Sequence, residues 1–276
     1  MRLLAPLLLV VALLGGCGDD TAPVPDGVSF RLEQTRQDLQ NRNISVQVVN
    51  EGRRDLTVER VELESGRLDE SARYDGPARV MAGTAVNLTM EMPRARCGRG
   101  VDARVRVTYA VGDGATVTSV ARPGDRFGSV ERFMRRDCAR RSLGEVRIDG
   151  LTAAGKGRDA ELVIALTVTP ARSGTSVRLV TVEGSTLLAP AGPDATRIDR
   201  EVRPGGDPVR AELTFVPNRC DVHVVAEDRT GGILPMRVEG EAFGRSPVYL
   251  TFSEPQKAQI FDFLAERCGF GEVQDR

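Results

Sequence analysis

The sequence predicts an all-β protein made of two tandem β-sandwich modules, each ending in a short helix. Two observations lead to this prediction: alternating strand patterns separated by turn residues, and a long internal repeat. The 276-residue chain is 41% hydrophobic, which is enough for packed cores. Its net charge of -1, with 28% charged residues, gives no reason to expect a nucleic-acid partner.

Apolar and polar residues alternate along several segments. Residues 101–109 (VDARVRVTY) place three valines, Ala103 and Tyr109 on one face, as in a half-buried strand. Residues 85–92 and 209–216 alternate in the same way, whereas residues 161–168 (ELVIALTV) are nearly all apolar and predict a central strand. Clusters such as NEGRRD and RPGGDP separate these runs at intervals typical of an immunoglobulin-like sandwich, although no tryptophan is present.

The chain repeats itself at an offset of about 120 to 130 residues. The segment LTMEMPRARC (88–97) is similar to LTFVPNRC (213–220), and FMRRDC (133–138) is similar to FLAERC (263–268). An offset of this length fits a duplicated domain. It predicts a first β-sandwich module over residues 28–141 and a second over residues 144–270.

Helix signals occur only at the module ends. Residues 253–268 open with Ser253 and Gln256, a capping box, and Pro255 lies in the first turn. Apolar residues then recur at helical spacing and predict an inward face of Ile260, Phe261, Leu264 and Cys268. Residues 129–138 are the weaker counterpart, with a predicted inward face of Val130, Phe133 and Met134.

Four of the five cysteines are predicted to form disulfides. With Cys17 set aside, the other four allow three pairings. The repeat selects Cys97 with Cys138 and Cys220 with Cys268, because each pair then occupies equivalent positions. A metal site is the alternative, but the chain has no C-x-x-C spacing and one histidine.

The N-terminus predicts an export signal. Arg2 precedes an apolar run over residues 3–14, which is shorter than the roughly 20 residues that span a bilayer. The sequence Leu14-Gly15-Gly16-Cys17 resembles the lipobox of bacterial lipoproteins. That resemblance implies a signal peptide over residues 1–16 and a diacylglyceryl group on Cys17. Residues 17–27 are then the lipidated cysteine and a flexible tether. An ordinary signal peptide with a chance cysteine is the alternative.

Few residues suggest chemistry. His223 is the single histidine and lies near Asp221, a pair that can orient a general base or hold a metal. We interpret both as structural residues at a strand beside a disulfide, so we expect no catalytic residue, no metal site and no cofactor. The arginine-rich segment MRRDCARR (134–141) contains Asp137, and we interpret it as a solvated face rather than an anion site.

The chain resembles uncharacterised two-module lipoproteins of actinobacteria, in which a stretch like Cys220-Asp221-Val222-His223 recurs. We expect a non-enzymatic binding or structural protein, anchored by lipid on Cys17 to the extracytoplasmic face of the cell membrane. Its expected partners are the membrane and an envelope protein or cell-wall component. The alternative is a metal-binding protein or hydrolase that uses His223 with Asp221.

Overall fold

The computed structural model describes residues 21–35, 38–39, 41–98, 100–155, 159–221, 223, 228 and 233–270. The predicted signal peptide and Cys17 lie outside the described residues. Within the described part, the chain is built from antiparallel strands and two helices, which confirms the predicted all-β fold class.

Over its described residues, the first half contains seven strands in two sheets. The strands are β1 (Val28–Glu33), β2 (Asn43–Asn50), β3 (Leu56–Glu64), β4 (Ala72–Val80), β5 (Thr84–Glu91), β6 (Arg104–Val111) and β7 (Val117–Ala121). One sheet has the order β1-β2-β5, and the other has the order β4-β3-β6-β7. The half ends in helix α1 (Ser129–Leu143).

In the part of the second half that the structure describes, there are eight strands in two sheets. The strands are β8 (Glu145–Ala154), β9 (Glu161–Thr169), β10 (Val177–Val182), β11 (Leu188–Pro190), β12 (Arg197–Val202), β13 (Val209–Pro217), β14 (Leu234–Gly240) and β15 (Gly244–Leu250). The sheet orders are β11-β13-β9-β8 and β12-β10-β14-β15. Helix α2 (Glu254–Cys268) follows.

The two halves share one strand order. If β8, β9 and β13 are matched to β1, β2 and β5, then β10, β12, β14 and β15 match β3, β4, β6 and β7, and β11 is an extra edge strand. The matched strands β3 and β10 both change register near their middle, between Val58 and Arg60 and between Leu179 and Thr181. The nearly all-apolar strand β9 is central in its sheet, as predicted.

The strand that contains residues 101–109 begins later than the sequence predicts. Strand β6 starts at Arg104, so Val105, Val107 and Tyr109 are buried while Val101 stays exposed. The residues of β6 that pair with β3 do alternate between inward and outward positions. The alternating sequence also extends upstream into residues 101–103, which form a loop with no partner strand opposite them.

Helix α2 begins as the sequence predicts. The Ser253 hydroxyl accepts from the Gln256 N–H, and the Gln256 side chain accepts from the Ser253 N–H. The helix buries Ile260, Phe263 and Leu264, whereas Phe261 is half-buried. The inward phenylalanine is therefore Phe263, which is the repeat counterpart of buried Phe133 in helix α1.

Helix α1 lies between the two halves. Its predicted inward residues Val130, Phe133 and Met134 are buried. The helix packs on β1 of its own half and also on β14 and β15 of the second half. Asp137, whose side chain is 1% exposed, binds the first half by accepting from Arg42 and from the Ala95 N–H at 2.8 Å. Helix α1 is therefore shared by both sandwiches.

Both predicted disulfides are present. Cys97 is joined to Cys138 in helix α1, and Cys220 is joined to Cys268 at the end of helix α2. The bridges close sequence separations of 41 and 48 residues. In the chain-entropy account, each bridge then stabilises the fold by about 4 kcal/mol.

The predicted tether is not free over its whole length. The Ala22 N–H donates to the Thr118 carbonyl at 2.7 Å, and the Ala22 carbonyl accepts from the Ser119 hydroxyl at 2.8 Å. Val24 packs against the core. The chain is therefore attached to strand β7 from Ala22 onward, because that edge strand offers it unpaired backbone groups.

Candidate functional site

The candidate site is a cleft where the two halves meet, which we call the inter-module cleft. It has a volume of about 550 Å³ and is bounded by the segment after β1, by helix α1 and by strands β14 and β15. Its described lining residues include five arginines and no aspartate or glutamate. The remaining walls include Gln34, Thr35, Leu39 and Tyr249.

Three of these arginines come from one face of helix α1. Arg132, Arg135 and Arg136 lie at helical spacings of three and four residues, which places their side chains on adjacent turns. Arg132 is exposed, but Arg135 and Arg136 are half-buried. The expectation of a solvated face is therefore wrong for Arg135 and Arg136, which the second half covers, whereas Arg140 and Arg141 at the end of the segment are exposed.

Arg135 connects helix α1 to the second half. Its guanidinium donates to the Phe243 carbonyl at 2.9 Å and to the Arg245 carbonyl at 2.6 Å. These two bonds hold the turn between β14 and β15 against the helix. Arg135 thus fixes the shape of the cleft.

Arg136 is the most desolvated cation of the cleft. Burial lowers the pKa of its guanidinium, and the neighbouring charge of Arg132 lowers it further, against the opposing effect of Tyr249. Its guanidinium donates to the Gln34 side-chain oxygen and lies 5.9 Å from the centre of the Tyr249 ring. Both contacts are to uncharged groups, so neither neutralises the cation.

The second half contributes two arginines whose charges are balanced. Arg237 donates twice to Glu183, at 2.6 Å and 2.7 Å, and this pairing raises the pKa of Arg237. The Nε of Arg245 lies 3.4 Å from Oε1 of Glu239. The excess positive charge of the cleft is therefore on the helix α1 side.

The residues that the sequence singled out lie elsewhere. Asp221 and His223 are both exposed, and the Asp221 carboxylate accepts from the His223 backbone N–H at 2.9 Å. The prediction that His223 lies in a strand is wrong, since its backbone is helical and β13 already ends at Pro217. Over the described ranges, no three His, Cys, Asp or Glu side chains are grouped to hold a metal ion.

One feature of the sequence points to the cleft. Arg132, Arg135 and Arg136 share one face of a helix that also carries a buried face and a disulfide cysteine. Because the core and the disulfide already fix the orientation of this helix, they also fix the direction in which its arginine face points. The partner surface, however, comes from residues more than 100 positions away, such as Phe243 and Arg245.

Comparisons with known proteins give no close relative. No protein-family profile matches the chain, and no curated protein sequence matches it. Among solved structures, a transglutaminase of red sea bream is 14% identical over 84% of this chain, with a TM-score of 0.25. This chain spans 32% of that protein.

Two bacterial structures are similar at the same low level. The CupB2 chaperone of Pseudomonas aeruginosa is 13% identical, with 77% of this chain and 94% of that one aligned and a TM-score of 0.20. The sporulation control protein Spo0M of Bacillus subtilis is 14% identical, with 90% and 98% aligned and a TM-score of 0.21. None of these similarities indicates an activity for this chain.

No helix over the described ranges is long and apolar enough to cross a bilayer.

Proposed function

We propose that the chain is a lipid-anchored, extracytoplasmic protein with a non-catalytic binding role in the cell envelope. Its lipid is attached to Cys17, and its binding site is the inter-module cleft. The partner is a component of the envelope, either a protein or a cell-wall constituent.

The observation that carries this proposal is the complete pairing of the other four cysteines. The disulfides Cys97–Cys138 and Cys220–Cys268 use four of the five cysteines, and Cys17 is the fifth. Structural disulfides persist in exported proteins, and an odd cysteine in such a protein needs a separate explanation. Lipidation within the Leu14-Gly15-Gly16-Cys17 sequence supplies it.

The attachment of Ala22 supports a position close to the membrane. Five residue steps separate Cys17 from Ala22, which is bound to strand β7. A fully extended chain covers at most about 3.6 Å per residue, so the bound end of the tether lies within about 18 Å of the lipid. A lipid on Cys17 would therefore hold the first sandwich at the headgroup surface, rather than on a long stalk.

The test combines anchoring with site-directed cross-linking in the native envelope. A Cys17→Ser variant should leave the membrane fraction for the soluble exported fraction. A photo-reactive residue at Thr35, which is exposed in the cleft, should capture a discrete envelope component. The matched control places the same residue at Met81, which is 54% exposed in the turn at the opposite end of the first sandwich.

Two results would contradict the proposal. A Cys17→Ser chain that stays in the membrane fraction would refute anchoring through Cys17. Equal capture from Thr35 and Met81 would refute a binding role for the cleft.

A further inference from the structure

We propose that the inter-module cleft binds the phosphate group of a small ligand through Arg132, Arg135 and Arg136. This inference rests on the proposed binding role of the cleft and goes beyond the proposed macromolecular partner, because it adds a small phosphate ligand. It does not depend on lipidation of Cys17.

The positive charges on the helix α1 side of the cleft have no acidic partner among the described residues. Over the described ranges, no carboxylate lies within ion-pair distance of Arg132, Arg135 or Arg136, whereas the cleft arginines of the second half pair with Glu183 and Glu239. Partly buried charges are normally paired, because burial removes their hydration. The lowered pKa of the Arg136 guanidinium reflects that cost. A bound anion would supply the missing opposite charge.

The cleft arginines also have N–H donors that make no hydrogen bond within the described residues. A guanidinium has five N–H donors. Arg135 donates from Nε and one terminal nitrogen to backbone carbonyls, and Arg136 donates from one terminal nitrogen to Gln34. Donors therefore remain on both groups, and Arg132 adds a third fork one turn away. Forks of this kind match the oxygens of phosphate in a bidentate manner.

The number of arginines and the size of the cleft favour a phosphate ligand over a simple carboxylate. Three adjacent guanidinium groups favour a ligand that carries more than one negative charge or several acceptor oxygens. A volume of about 550 Å³ is also larger than one inorganic anion and lies in the usual range of small-molecule sites. Tyr249, Leu39 and Pro247 give the cleft an apolar wall for the organic part of the ligand.

Two sources share this chemistry, namely a soluble phosphate compound and a phospholipid headgroup. Isothermal titration of the purified full chain at low salt distinguishes them. One arm uses inorganic pyrophosphate, and the other uses glycerophosphoglycerol, the water-soluble headgroup of phosphatidylglycerol. We expect saturable binding of at least one probe, and the tighter one identifies the source.

Variants localise the binding. Arg132→Gln removes an exposed side chain and should weaken binding about tenfold or more, as expected for loss of charge-assisted hydrogen bonds. Arg136→Gln should do the same, and Arg136→Lys should restore part of the affinity. The matched control is Arg203→Gln, which removes an equal charge just beyond β12, at the opposite edge of the sheet from β15. It should leave binding unchanged.

Two outcomes would overturn the inference. One is the absence of saturable binding for both probes. The other is equal weakening by Arg132→Gln and Arg203→Gln, which would indicate non-specific attraction to surface charge. If Thr35 still captures an envelope component in either case, the proposed binding role stands and only its phosphate chemistry fails.

Discussion

Asp137 is the residue that fixes helix α1 to the first sandwich. Its buried carboxylate accepts from Arg42 and from the Ala95 N–H, and the Nε of Arg141 lies 3.4 Å from its Oδ2. Arg42 itself has a positive φ of 56° and also donates to the Met92 and Pro93 carbonyls. One carboxylate therefore organises the helix, the segment after β5 and the residue before β2.

Replacing Asp137 should be costly. In Asp137→Ala the buried Ala95 N–H loses its acceptor and the partly exposed Arg42 guanidinium loses a charge-assisted hydrogen bond, and we expect the free energy of unfolding to fall by about 2 to 4 kcal/mol. Chemical denaturation measures this. The matched control is Asp69→Ala, which breaks the exposed pair with Arg96 and should cost less than about 1 kcal/mol. Similar losses in both variants would contradict the role given to Asp137.

The burial of Asp137 could not be predicted from its neighbours in sequence. An aspartate within MRRDCARR looks like a surface charge balanced by local arginines. Its partners Arg42 and Ala95 lie 95 and 42 positions away. The cysteine pairing was predictable, by contrast, because Cys97 and Cys138 occupy the same positions in the repeat as Cys220 and Cys268.

Among the elements, the junction between helix α1 and strand β8 is the most tightly constrained. Gly144 ends the helix with φ +79°, and a Cβ at this position would lie 2.5 Å from the Thr169 carbonyl oxygen and 2.6 Å from the Ala171 nitrogen. Both neighbours are backbone atoms and have little freedom to move away. Because β8 leaves the helix at this point, the junction sets where the second sandwich begins.

A methyl group at this junction should be destabilising. Gly144→Ala combines a positive φ with clashes against three backbone atoms, and we expect a loss of about 2 to 4 kcal/mol in the free energy of unfolding. Gly192→Ala is the control, since a Cβ there meets no atom within 4 Å. The free energy of unfolding of that variant should stay within about 1 kcal/mol of the wild-type value, because the alanine meets no neighbour and restricts the unfolded chain. Thermal unfolding followed by circular dichroism checks both variants.

The two helices show what local sequence reveals about elements. The start of helix α2 is predictable from the sequence, because its cap uses Ser253 and Gln256, which lie three residues apart in the chain. Helix α1 has Gly128 at its N-cap position, and the Asp125 carboxylate caps it by accepting from the Ser129 and Val130 N–H groups. This departs from the capping-box pattern, so only the apolar spacing indicated the helix.

On the scale of the whole molecule, surface carboxylates make stability depend on pH. Hydrogen bonds from the Ala82 N–H and from Arg79 lower the pKa of Asp55. The Thr167 hydroxyl lowers the pKa of Asp149, and Arg178 lowers that of Asp199. Because these pKa values are lower in the folded state than in the unfolded chain, folding favours the ionised carboxylates.

The protein should therefore lose stability in acid. The contribution of these groups is fully present above their unfolded pKa values of about 4 and is lost as the pH falls through the lower folded values. We expect the melting temperature to fall steadily between about pH 5 and pH 3. Asp55→Asn should make that decline shallower, whereas Asp113→Asn, in an exposed turn, should not. An unchanged slope in Asp55→Asn would contradict the assignment.

The overall architecture was predictable to the level of two sandwiches, because alternation, turns and the repeat are all encoded locally or by self-similarity. The packing of helix α1 against β15 was not, since nothing in residues 129–143 specifies which sheet covers their arginine face. The attachment of Ala22 to β7 was also missed, because a segment rich in proline and glycine has the composition of a linker even when an edge strand binds it.

The claim on which the account depends most is that Cys17 carries the anchor. Mass spectrometry of the N-terminal peptide from chain isolated out of the native envelope tests it directly. We expect a mature chain that begins at Cys17 and carries a diacylglyceryl group, with residues 1–16 absent. A chain in which Cys17 is an unmodified thiol, or in which residues 1–16 remain attached, would contradict it.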